Sequence, residues 1–103
     1  MTFDERWEAL QATLYADTEI PNWTAANGYF GDPFRIVLVT PSYIEVDPRR
    51  AENIQHIPKG EFRKVHERWE GYLRGTFPRK ELRDLTRFSK YIISIFHWLG
   101  EQR

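Results

Sequence analysis

No cysteine occurs among these 103 residues. That excludes disulfides and thiolate metal sites. No apolar run approaches the roughly 20 residues that a membrane helix needs. The first residues, Met1 to Arg6, are acidic and lack the apolar run of a secretory signal. These absences lead us to expect a soluble, cytoplasmic protein. There is no Gly-rich phosphate loop, and His66-Glu67 is followed by Arg-Trp-Glu, so the His-Glu-x-x-His zinc pattern is absent. His56, His66 and His97 lack metal-ligand spacing. Ser42 and Ser89 have no His/Asp context that would activate a hydroxyl. Asp32, Glu45 and Asp47 gather around expected strands, as in a Mg²⁺-dependent nuclease, but Asp47 stands where such an enzyme needs Lys. The expectation is a non-enzymatic chain with no metal and no cofactor.

What the chain does have is aromatic bulk: four Trp, five Tyr and seven Phe. Each buries a large area, so one domain of this length can form a core without staples. Charge is unevenly spread. Residues 1–57 hold four Lys/Arg and nine Asp/Glu, whereas residues 58–103 hold eleven and six. Such asymmetry points to an anionic partner for the basic half, or to attraction between the halves within one fold.

The pattern predicts an α+β domain: an N-terminal helix, a small antiparallel sheet of two to three strands, then three helices. Residues 2–16 read as helix, with a Thr2/Glu5 capping box and an apolar stripe at Phe3, Trp7, Leu10 and Leu14. Turn signals fill 17–33, where Asn27-Gly28 suits a hairpin. Trp23, Tyr29 and Phe30 there either close the core or line a ligand pocket. Phe34–Thr40 reads as a central strand, Tyr43–Asp47 as its partner with a free edge, and Asn53–Ile57 as a third strand. Residues 60–74 read as one helix with a stripe of Phe62, Val65, Trp69, Tyr72 and Leu73, closed by Gly75.

The last quarter, 79–99, reads as a short helix opened by Pro78, a three-residue turn, and a second helix capped by Ser89 and ended by Gly100. Leu82, Phe88, Ser89, Ile93 and Phe96 fall where a helix-turn-helix needs them. This segment resembles the helix-turn-helix of bacterial repressors. Arg83 and Arg87 stand where that family has a small residue and Gly. The resemblance implies double-stranded DNA as partner, with Arg74, Arg79, Lys80, Arg83, Arg87, Ser89, Lys90 and Ser94 as the nucleic-acid-binding residues. The apolar arc of the last helix supports a second reading, a homo-oligomeric interaction module with no nucleic-acid role. Tyr91, Ile95, Trp98 and Leu99 would then form a homodimer interface. The two readings are compatible, because repressor-type domains bind as two-fold dimers.

Overall fold

The computed structural model describes residues 1–49 and 53–102. Helix α1 spans Phe3–Thr13. Thr2 Oγ1 accepts the Glu5 N–H at 3.1 Å, and Glu5 Oε1 accepts the Thr2 N–H at 2.7 Å. This is the reciprocal cap that the sequence implies. Phe3, Trp7, Leu10 and Leu14 are all buried.

Six strands follow: β1 Glu19–Ile20, β2 Trp23–Thr24, β3 Gly28–Tyr29, β4 Phe34–Val39, β5 Tyr43–Asp47 and β6 Gln55–Pro58. Strands β2 and β3 form a hairpin by themselves, with Gly28 at φ +69° as the first residue of β3 after the turn. The other four make one antiparallel sheet in the order β1-β4-β5-β6. The sheet thus has four strands, not two to three. Strand β5 is interior, not an edge, because β6 pairs along it from Tyr43↔Pro58 to Val46↔Gln55. Part of the third predicted strand's approach, and Arg50 before it, lies outside the described residues.

The pleat sorts the side chains. Ile20, Phe34, Ile36, Ile44, Val46 and Ile57 are buried on one face. The other face is polar: Arg35 pairs with Asp17 at 2.7 Å and Asp47 at 3.2 Å, and His56 Nδ1 lies 3.1 Å from Glu45 Oε2. Of the three carboxylates that suggested a metal site, Asp47 pairs with Arg35 and Glu45 contacts His56 on this face.

Four helices complete the chain: α2 Lys59–His66, α3 Trp69–Arg74, α4 Arg79–Leu85 and α5 Ser89–Glu101. The single helix expected over 60–74 is two. The Arg68 N–H reaches back only three residues, to Val65 O, and this tightened turn separates α2 from α3. The α5 helix runs one residue past Gly100.

The α5 helix is the axis of the core. Tyr91 to Phe96 are buried without interruption. On one side the Phe34 ring lies 5.3 Å from Tyr91, and Trp23 stacks on His97 at 3.8 Å. On the other, Phe62 and Trp69 lie 6.0 Å and 5.4 Å from Phe96. Within the chain, Tyr91 to Phe96 of the wide apolar arc are walled on both sides, while Trp98 and Leu99 remain half-buried.

Candidate nucleic-acid interface

Helix α4 is held to the body by Leu82, which is fully buried, and it packs on α2 and α5. At about 100° per residue, Arg79, Arg83 and Lys80 fall roughly 60°, 100° and 160° to one side of Leu82. Glu81 and Asp84 fall on the opposite side. The helix therefore presents a basic flank and an acidic flank. Lys80 and Arg83 are exposed. Among the described residues neither makes an ion pair or a side-chain hydrogen bond.

The remaining cations differ. Arg74 is exposed and lies 3.5 Å from Glu70 one turn earlier. Arg87 spreads over the Phe88 ring at 4.6 Å, and Lys90 lies 5.0 Å from the Tyr91 centroid. Both cations thus sit over apolar rings with their side chains exposed. Arg87 also acts on Glu61, whose carboxyl is held below its usual range first by a hydrogen bond from Lys64 and then by Thr86 and nearby positive charge. Arg79 is half-buried, and its Nε is a buried donor without a hydrogen-bond partner among the described residues. A buried donor left unpaired costs about 1–3 kcal/mol.

Other residues of the sequence-based site lie elsewhere. Ser89 and Ser94 are buried, at 2% and 1% exposure, so neither offers a hydroxyl to a phosphate. Ser94 Oγ accepts the Trp23 N–H at 3.0 Å and donates to Lys90 O at 3.1 Å. It ties β2 to α5. Ser89 is not the cap of α5. Phe88 holds that position, and Thr86 Oγ1 accepts the Phe88 N–H at 3.2 Å. The three-residue turn exists, with no left-handed residue in it, so Arg87 does not need the glycine conformation.

Two of the four residues expected at a dimer contact are enclosed within the chain. Tyr91 and Ile95 are 4% and 0% exposed; the Phe34 ring lies against Tyr91, and α5 packs on β1, β2, α2 and α4. Trp98 and Leu99 are half-buried against the same core. Much of the apolar arc is thus taken up internally, while Trp98 and Leu99 keep part of their surface exposed. With residues 91–96 enclosed, the less buried positions of α5 are Lys90 and the residues after Phe96.

Two features escaped the sequence reading. One is a ring cluster: His97 stacks on Trp23, and its Nε2 lies 3.1 Å from Tyr29 Oη and 3.4 Å from Glu101 Oε1. The other is Arg6, half-buried over the Phe96 ring at 4.9 Å, which donates to His66 Nδ1 at 2.9 Å. Both come from pairings some 60 or more residues apart, which local patterns do not register.

Burial holds the His66 and His97 imidazoles below their usual range; Arg6 adds to the effect at His66, while Glu101 opposes it at His97. Each ring binds its proton less readily folded than unfolded. The unfolded chain therefore takes up more protons, and stability rises with pH in that window. We expect full stabilisation above the ordinary histidine value of 6.5 and a loss as pH falls below it through the depressed folded values. Urea unfolding between about pH 7.5 and 5 reads this directly. The slope should flatten in the double variant His66→Gln/His97→Gln.

No protein family, curated protein or solved structure matches the chain.

Proposed function

We propose that this chain is a non-enzymatic binding module that holds the sugar–phosphate backbone of duplex DNA against the basic flank of α4. The observation that carries this reading is Lys80 and Arg83, side by side on one flank, exposed and unpaired among the described residues. Arg79 continues the flank. Arg87 and Lys90, over the rings of Phe88 and Tyr91, extend the basic character into the start of α5.

Contacts of this kind position a protein on a duplex without reading its sequence. The enclosure of α5 argues the same way, since base reading needs several donors and acceptors in the groove. Binding is thus expected to depend on charge and little on sequence.

Fluorescence anisotropy with a labelled duplex, titrated across salt concentrations, tests the proposal. Released counterions make log affinity fall linearly with log salt. Three to four phosphate contacts give a slope of about −3 to −4, equal for unrelated sequences of the same length. No binding at roughly 50 mM salt, or a slope near zero, would overturn it.

A further inference from the structure

We propose that the cleft between the β2–β3 turn and the α3–α4 junction binds a small organic carboxylate with an aromatic or branched apolar body. This inference shares Arg79 with the duplex reading but does not rest on it. The cleft encloses about 470 Å³, within the roughly 300–1,000 Å³ usual for small-molecule sites.

Its chemistry is one-sided. Ala25, Tyr72, Phe77 and neighbouring apolar groups form the walls, while Arg74 and Arg79 supply two guanidinium groups. Among the described residues no carboxylate lines it. Arg79 Nε is buried and has no hydrogen-bond partner among the described residues. A guanidinium is donor-only, and its planar fork matches a carboxylate with two parallel hydrogen bonds. Arg74 has only its exposed contact with Glu70 at 3.5 Å to give up, and exposed pairs of that kind hold weakly.

Both walls are fixed before any ligand arrives. The Ala25 N–H donates to Tyr72 Oη at 2.9 Å, which pins the hairpin turn to α3. The Asn27 N–H donates to Thr24 Oγ1 at 3.2 Å within the turn. Gly71 O accepts the N–H groups of Thr76 and Phe77 at 2.9 Å and 3.0 Å. A Cβ at position 71 would stand 3.3 Å from Phe77 Cβ and from Thr76 Oγ1. Glycine there lets Phe77 close against α3. Gly75, at φ +82°, then reverses the chain toward Arg79. A preformed cleft loses less ordering entropy on binding.

The apolar walls select the ligand's body. Inorganic phosphate would satisfy the arginines but leave those walls in water. A neutral aromatic would cover the walls but leave the two guanidinium groups without an anion. A compact aromatic carboxylate does both.

Isothermal titration calorimetry with 2-naphthoate, its neutral analogue 2-naphthamide, and inorganic phosphate tests the site. The expected result is single-site binding of naphthoate, with the amide at least about tenfold weaker, as the loss of a charge-assisted pair implies. Phosphate should give no binding at low millimolar concentration. Arg79→Met should weaken naphthoate at least about tenfold with its circular dichroism unchanged. Intermolecular nuclear Overhauser effects should connect the naphthalene protons to the Ala25 methyl group. That measurement needs no variant, so it decides the matter if Arg79→Met does not fold. The proposal is overturned by no binding of naphthoate at about 5 mM, by amide or phosphate binding as tightly, by an unaffected folded Arg79→Met, or by contacts confined to another part of the molecule.

Discussion

Ile95→Ala should lower the unfolding free energy by about 2–5 kcal/mol. Ile95 is fully buried in the middle of α5, so truncation removes transfer energy and leaves a cavity between packed neighbours. A chain of this size holds about 5–15 kcal/mol in all, and the melting temperature should drop by about 10–30 °C. Leu73→Ala is the natural comparison. Leu73 is 49% exposed, and its replacement should change stability by about 0.5 kcal/mol or less. The melting temperature of both proteins should be independent of protein concentration, because a core residue, unlike one in a subunit contact, gains nothing from mass action. An Ile95→Ala effect under about 1 kcal/mol would place Ile95 at a surface, and α5 would regain an interface role.

Lys80→Gln/Arg83→Gln should weaken duplex binding about a hundredfold at roughly 50 mM salt, and should flatten the salt slope by about two units. Both side chains are exposed and unpaired among the described residues, so their replacement breaks no ion pair there and leaves folding intact. The loss should be the same for every duplex sequence, as expected of phosphate contacts. Arg63→Gln provides the control. Arg63 is also exposed, but it lies on α2 with its guanidinium over the Phe3 ring at 4.6 Å. It should change neither affinity nor slope. An unchanged slope in the Lys80/Arg83 variant would remove α4 from the interface.

The elements legible in the sequence are those written in local chemistry. The Thr2/Glu5 capping box and the spacing of Phe3, Trp7, Leu10 and Leu14 announce α1, and all four apolar residues are buried. The Asn27-Gly28 turn and the β-branched run Phe34–Val39 announce the hairpin and a central strand in the same way. Gly75 closes α3 in the left-handed conformation that only glycine adopts without cost. Strand β1 was not legible, because two residues carry no period. It exists through its pairing with Phe34 and Arg35. The interior place of β5 is likewise decided by β6 docking beside it.

The basic flank of α4 was legible in charge and in helix period, but the enclosure of α5 was not. Arg79, Lys80 and Arg83 stand out in the sequence as a cluster, and the helix period alone puts them on one flank. The fate of α5 could not be read the same way. Its apolar arc looks like surplus in one dimension. The side chains that cover it, Trp23, Phe34, Phe62 and Trp69, come from segments some 20 to 70 residues away. The same distance hid the Tyr72–Ala25 hydrogen bond that shapes the cleft.

The most direct test of the account is a map of backbone amide shifts when a short duplex is added to isotope-labelled protein. The account predicts shifts concentrated from Arg79 to Lys90. It predicts silence along Tyr91–Phe96 in the core and along the outer sheet face at Tyr43–Asp47. Shifts centred on the sheet or on α1, or none at all at roughly 50 mM salt, would contradict it.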